Sequence, residues 1–281
     1  MSESLRPAVL LASATERLRA GGVASPQADA RTLLAWVMGI QPWQLAIGST
    51  GEADAARFEE LVAARAAGRP LQYLTGVAHF RTVSLAVGPG VFIPRPETEV
   101  LAGWAIDRVR AGAKRVVELC AGSGAMTLAI LTEAQPFASW AVEVEPAAIR
   151  YLRRNLTGTT AHVVQADMAV ALPDLDGTVD LVVANPPYIA RSERDRLPRE
   201  LMAEPARALF ADDDGLAAIQ IVADTGWRLL NSDGMIGCEH GDGQADVVMA
   251  LFEAGGWTQI ESHRDLTSRP RFVTARRPRV G

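Results

Sequence analysis

Apolar and polar positions alternate with two different periods along this chain. Between residues 5 and 67 the apolar positions recur at helical spacing, broken by short polar or glycine stretches, and no convincing strand appears. Ser25 and Pro26 read as a helix start, Leu33, Leu34, Val37 and Met38 share one face, and Gly39 ends that helix. Phe58, Leu61 and Val62 repeat the pattern before Gly68. Each helix carries an apolar stripe that must be covered, so a small helical bundle is expected over 1–70.

Residues 71–90 follow as short apolar segments broken by Gly76 and by Arg81-Thr82, which reads as a β-hairpin linker. Glu97, Thr98 and Glu99 then enter the first turn of a helix that reaches about Arg110, where carboxylates suit the helix dipole. The segment before it, FIPRP at 92–96, is held extended by Pro94 and Pro96. Such a loop can border a site or merely join domains.

From Arg115 onward the period changes. Short apolar runs at 115–119, 140–143, 162–165, 180–184, 235–239, 258–263 and 272–275 read as strands, with helices at 146–155, 216–230 and 244–254 among those interleaved. Seven strands with helices between them predict an α/β fold built on a seven-stranded, doubly wound sheet over 91–281.

Two strand ends carry candidate chemistry. At 115–124 a strand ends in Glu118 and Leu119 and is followed by the turn Cys120, Ala121, Gly122, Ser123, Gly124 and a helix. Glu143 ends the next strand, nineteen residues beyond Gly124. Glycines let the backbone approach a ligand, and an acid at that distance can accept ribose hydroxyls. A dinucleotide site prefers a third glycine, which would fall at Thr127, and Glu118 is an awkward neighbour for a pyrophosphate but a good one for a cationic methionyl group. Spacing and charge therefore favour S-adenosylmethionine over NAD. Asp167 after the third strand can accept from an adenine amino group and Met168 can cover the ring, although a turn acid and a core methionine fit the same positions.

The second end is Asn185-Pro186-Pro187-Tyr188, after the apolar run that begins at Asp180. The prolines stop the strand and hold the carbonyls of Asn185 and Pro186 in set directions. With the Asn185 side-chain oxygen they present acceptors to a planar NH2 group, and Tyr188 offers a flat face beside it. An amide or an exocyclic amine is the expected substrate group.

Composition narrows the setting. The chain has 281 residues, 48% of them hydrophobic, and a net charge of −5, which argues against tight nonspecific nucleic-acid binding. Up to Gly88 eight arginines face seven acids, so the helical segment is no basic clamp and suits protein contact. The arginines at 264, 269, 271, 276, 277 and 279 are expected to form a solvated edge. No run approaches a membrane span and the start MSESLRPAV lacks an apolar signal core, so a cytoplasmic location is expected. Cys120 and Cys238 form no CxxC and the four histidines have no ligand spacing, so neither disulfide nor metal is expected.

The chain resembles the release-factor glutamine methyltransferases, the PrmC/HemK family, over nearly its whole length. The resemblance rests on PLQYLTG (70–76), FIPRPETE (92–99), ELCAGSGA (118–125), AVEVEPAAIRYLRRN (141–155), NPPYI (185–189) and EPARALFADDDGL (204–216). It implies a Rossmann-like methyltransferase domain and an N-terminal domain that helps recognise class I peptide-chain release factors. It also implies that S-adenosylmethionine is held by the 120–124 turn and Glu143, that substrate meets residues 185–188, and that Phe92 lies near the methionyl end. Cys120 replaces the usual first glycine, so a negative φ is expected there; Glu143 is one methylene longer than the usual Asp, and Met168 stands where Trp is frequent. The main rival is an adenine-N6 methyltransferase on DNA or RNA, since that amine offers the same two donors.

Overall fold

A computed structural model of the chain describes residues 6–46 and 50–279. The expectations for residues 1–5, 47–49 and 280–281 lie outside the described residues. The chain forms two compact units, one of Met1–Val77 with Pro198–Ala203 and one of Ala78–Leu197 with Glu204–Gly281.

The first unit is helical. α1 (Pro7–Ala20), α2 (Pro26–Val37), α3 (Glu52–Ala66) and α4 (Leu71–Thr75) enclose a core that includes Leu18, Leu33, Leu34, Phe58 and Val62. Pro26 opens α2 as expected, but the Ser25 side chain makes no capping bond. Inside this unit Arg65 is buried and bonds Asp29 at 2.7 Å and Glu200 at 2.8 Å. Residues 71–75 are a helical turn rather than the start of the hairpin. Gly76, at φ +74°, ends that turn, and only then do β1 (Val77–Phe80) and β2 (Val83–Ala86) pair.

In the second unit α5 (Thr98–Arg110) precedes β3 (Arg115–Leu119), α6 (Ala125–Glu133), β4 (Ala138–Glu143), α7 (Pro146–Asn155), β5 (His162–Gln165) and β6 (Val179–Ala184). After short β7 (Ile189–Ala190), α8 (Ala206–Leu209) and β8 (Phe210–Ala211) come α9 (Ala217–Leu229), β9 (Leu230–Glu239), α10 (Ala245–Ala254), β10 (Thr258–Arg264) and β11 (Pro270–Arg276). The seven-stranded sheet has the order β10-β11-β9-β6-β3-β4-β5, parallel from β9 through β5, with β11 antiparallel to both its neighbours. Both faces are covered. Ala141 joins Ile149, Leu152 and Leu156 on one side, while its neighbour Val142 joins the cluster of Ile219, Val222 and Phe252 on the other. The expected doubly wound sheet is therefore observed.

Strand order reverses between β3 and β6, and a crevice opens at such a switch point, beyond the carboxyl ends of the strands. The register lines up what stands there. Leu119 pairs with Val142 and with Ala184, and Ala184 pairs with Cys238, so the next residues, Glu143, Cys120, Asn185 and Glu239, leave four adjacent strands at one level. At the other end Asp180 fixes this register by accepting from the backbone N–H groups of Lys114 and Arg115 and from Asn231.

The C-terminal arginines are not a uniform solvated edge. Arg271 is buried against Asp265, and Arg276 and Arg279 both pair with Asp233. Their carboxylate partners, Asp265 between β10 and β11 and Asp233 within β9, are not revealed by the clustering of arginines alone. Among the described residues no helix is long and apolar enough to cross a membrane.

Candidate active site

β6 is buried from Leu181 to Ala184 and delivers Asn185 to the crevice. Asn185 Nδ2 donates to Thr98 Oγ1 at 3.1 Å, which ties down the NH2 end of the carboxamide. Among the described residues neither Asn185 Oδ1 nor the Pro186 carbonyl has a hydrogen-bond partner. Two acceptors with directions set by proline geometry are thus left for an incoming group.

Tyr188 is half-buried, and its hydroxyl donates to Glu239 Oε1 at 3.3 Å. Burial, and then the negative charge of Glu239, push the phenol pKa up, so the hydroxyl stays protonated. Its carbonyl accepts from Gln244 Nε2 at 3.1 Å, and Gln244 Oε1 accepts from Gly241 N at 2.7 Å. Ile189 and Ala190 continue the loop as β7, paired in parallel with β8.

The loop at 92–96 borders this site. Glu204 is buried, accepts from Ile93 N at 2.9 Å and pairs with Arg95, whose guanidinium also lies 4.9 Å from the centre of the Phe92 ring. Thr98, which follows the loop at the start of α5, reaches Asn185 directly.

The turn after β3 departs from expectation at its first position. Cys120 has φ +56°, in the left-handed region, not a negative value. The turn is closed on both sides, by Ala121 N to Val142 O at 2.9 Å and Gly124 N to Ala121 O at 2.7 Å, and this closure imposes the left-handed conformation on whatever residue stands there. The Cys120 sulfur lies 3.3 Å from Met168 Sδ, and burial pushes its thiol pKa up. Both cysteines are free.

Gly124 has φ +82°, a left-handed conformation that favours glycine, and a Cβ there would also come within 2.6 Å of the flexible Leu152 Cδ1, whereas a Cβ on Gly122 would meet nothing within 4 Å. The backbone at Gly122 therefore faces open space that a ligand can enter. Glu143 is already partly engaged: Oε2 accepts from Gly122 N, and Oε1 accepts from Val144 N and Glu145 N, all at 2.8 Å. Oε1 has used both lone pairs, so Oε2 keeps one for a hydroxyl.

Glu118 is buried and accepts from Thr127 N at 2.8 Å and from the Thr127 hydroxyl. Burial raises its pKa to about 7, opposed by the Thr127 bonds and assisted by Glu143. Asp167 accepts from Ala169 N at 3.0 Å, so it caps the turn that Met168 begins, and its carboxylate is half exposed. Met168 packs against the core cluster. No group of three or more His, Cys, Asp or Glu that could hold a metal occurs among the described residues.

Thr98, Gln244 and Glu239 escape a reading of sequence alone. Glu239 carries the signal that singled out Asn185, a polar residue ending an apolar strand, and the glycines at 241 and 243 mark a turn just beyond it.

Comparison with known proteins places the chain in a family. A family model for the PrmC N-terminal domain matches residues 10–76, and one for the methyltransferase small domain matches residues 98–227. A protein of Streptomyces coelicolor named release factor glutamine methyltransferase is 45% identical over 95% of this chain and 96% of its own. One of the same name from Mycolicibacterium smegmatis is 44% identical over 97% and 98%. A Streptomyces pristinaespiralis protein named 4-amino-L-phenylalanine/4-methylamino-L-phenylalanine methyltransferase is 38% identical over 90% and 89%. Among solved structures, the hMettl16 catalytic domain shares the fold at a TM-score of 0.58 and 13% identity, covering 82% of this chain and 83% of that one. Matched along nearly its full length by the release factor glutamine methyltransferases named above, and over residues 10–76 and 98–227 by the two domain models, the chain belongs to the release factor glutamine methyltransferase family.

Proposed function

We propose that this chain transfers a methyl group from S-adenosylmethionine to the side-chain amide nitrogen of the glutamine in the Gly-Gly-Gln tripeptide of class I peptide-chain release factors. The observation that carries it is the pair of acceptors, Asn185 Oδ1 and the Pro186 carbonyl, which have no hydrogen-bond partner among the described residues while the Asn185 NH2 is tied to Thr98. A primary amide brings two N–H donors to two acceptors, whereas a carboxylate brings none. The names of the full-length relatives support the same substrate.

S-adenosylmethionine, when bound, supplies an electrophilic methyl group on a sulfonium. The donor set fits it: the open face of Gly122, the remaining lone pair of Glu143 Oε2 and the buried acid Glu118 at the end of β3. Asp167 and Met168 lie after the third parallel strand and complete the proposed adenine end, with Cys120, Ala121, Ser123 and Gly124 forming the turn. An amide nitrogen is a poor nucleophile, so catalysis here rests on positioning. Accepting both N–H bonds raises electron density on nitrogen and aims it, and orientation of this kind can supply up to about 7–11 kcal/mol. Pro187 keeps the loop rigid, while Tyr188 and Phe92 provide flat surfaces for the glutamine and the methionyl end.

The helical unit is proposed to help dock the release factor, and Trp43 stands 71% exposed on it. Trp43→Ala is expected to raise KM for the release factor and leave kcat and cofactor affinity unchanged. Adenine, and the aromatic amine named for the Streptomyces pristinaespiralis relative, offer the same pair of donors. Incubation with labelled S-adenosylmethionine and separate release factor, DNA, RNA and 4-aminophenylalanine decides among them. Label in the release factor, abolished when its glutamine is replaced, is the expected result; label only in another fraction would overturn it.

A further inference from the structure

The loop proposed to meet the substrate, residues 185–188, is stiff along its length and fixed at its start. Asn185 leaves the buried strand β6 and is tied to Thr98, and the rings of Pro186 and Pro187 remove their φ freedom. A residue that precedes a proline is restricted as well. What remains to be placed is the far end, the peptide plane that carries the Tyr188 carbonyl. Its placement decides where the Pro186 carbonyl and the Tyr188 ring point.

Gln244 holds that end. It stands just before α10, where a polar side chain commonly caps the helix, yet it makes no capping bond. Its carboxamide engages three other segments instead: Nε2 donates to the Tyr188 carbonyl at 3.1 Å and to the Asp214 carbonyl at 3.2 Å, while Oε1 accepts from Gly241 N at 2.7 Å. Turning the group over would set its oxygen against two carbonyl oxygens and its NH2 against an N–H, so the partners themselves fix its orientation.

Two glycines make this close approach possible. A Cβ on Gly241 would lie 2.8 Å from Gln244 Oε1 and 3.3 Å from Tyr188 Cδ2, and one on Gly215 would lie 2.8 Å from Gln244 Nε2. The two halves of the carboxamide serve different ends. Oε1 closes the short turn that leads into α10, which is a local bond. The NH2 group reaches 56 residues back along the chain to the 185–188 loop and 30 residues back to the segment before α9.

We propose that Gln244 is a positioning residue for methyl transfer, its NH2 group fixing the Tyr188 end of the 185–188 loop and through it the direction of the Pro186 carbonyl. The inference rests on the proposed glutamine methylation, but its first readout uses no substrate.

Two variants separate the halves of the carboxamide. Gln244→Glu keeps an oxygen for Gly241 N and replaces the donor by an oxygen facing two carbonyls; Gln244→Lys keeps donors for the carbonyls and loses the acceptor. Each is first shown to be folded by circular dichroism, and its melting temperature is recorded. The chain has three tyrosines, so fluorotyrosine labelling gives few resonances, among which Tyr188 is assigned by its loss in Tyr188→Phe. Without substrate, Gln244→Glu is expected to shift or broaden the Tyr188 resonance, and Gln244→Lys to move it less. In turnover of release factor at saturating S-adenosylmethionine, kcat is expected to fall about tenfold or more in Gln244→Glu, with partial rescue in Gln244→Lys, because small misplacements of a reacting group are costly. Affinity for S-adenosylmethionine, measured by calorimetric titration, is expected to stay within about threefold in both. A carboxylate suits the start of α10 and an ammonium does not, so the melting temperature is expected to favour Gln244→Glu while kcat favours Gln244→Lys. If kcat instead follows the melting temperature, or the Tyr188 resonance is unmoved in Gln244→Glu, the inference is overturned. Failure of the unaltered protein to methylate any release factor, with the fluorine resonance responding as described, would instead overturn the glutamine reading and leave the loop placement standing.

Discussion

A Cβ placed on Gly215 would lie 2.1 Å from the carbonyl oxygen of Tyr188. The backbone of the segment before α9 therefore presses against the end of the substrate loop, and Gly215 also has φ +88°. Gln244 closes the same place by donating to the carbonyls of Tyr188 and Asp214. Gly215→Ala must displace the loop or its own segment, so it is expected to lower stability by about 1–3 kcal/mol and turnover by more than tenfold. Urea unfolding and steady-state kinetics measure both, and a variant with normal turnover would show that loop placement tolerates the shift.

Glu143 has a double task. Its carboxylate holds three backbone N–H groups as well as the one lone pair available to the ribose. Glu143→Ala is therefore expected to weaken S-adenosylmethionine by about 1.5–3 kcal/mol and also to lower the melting temperature, since the turn loses its anchor. Calorimetric titration with unchanged affinity would remove Glu143 from the cofactor site.

The buried acid Glu118 makes stability depend on pH. Its folded pKa of about 7 lies above the ordinary carboxylate value of 4.5, so the folded state holds the proton more tightly. The contribution is fully present below about pH 4.5 and is lost as pH rises through about 7, each pH unit between these values removing roughly 1.4 kcal/mol at most. Glu118→Gln is expected to gain stability relative to the unaltered protein as pH goes from 5 to 8. A stability difference that stays flat across that window would contradict the assignment.

Much of the fold is legible in local pattern. α7 and β5 fall where their periodicity puts them because each is bounded by a proline, a turn or a charge. The helical turn at Leu71–Thr75 is not legible, because five residues are too few to show a helical period. The left-handed Cys120 is likewise set by closure onto Val142, a contact from another strand. The site divides in the same way. Asn185, Glu143 and the glycine turn announce themselves by what precedes and follows them, whereas Thr98 and Glu239 matter only because register and chain crossing bring them to Asn185 from 87 residues away and from the adjoining strand.

Asn185 is proposed to act on the substrate amide rather than on the fold. Single-turnover methylation of release factor by Asn185→Ala, at saturating S-adenosylmethionine, tests it most directly. The rate is expected to fall by about 100-fold or more while cofactor affinity stays within about threefold, since the acceptor is used in the transition state. A near-normal rate for Asn185→Ala would contradict the mechanism.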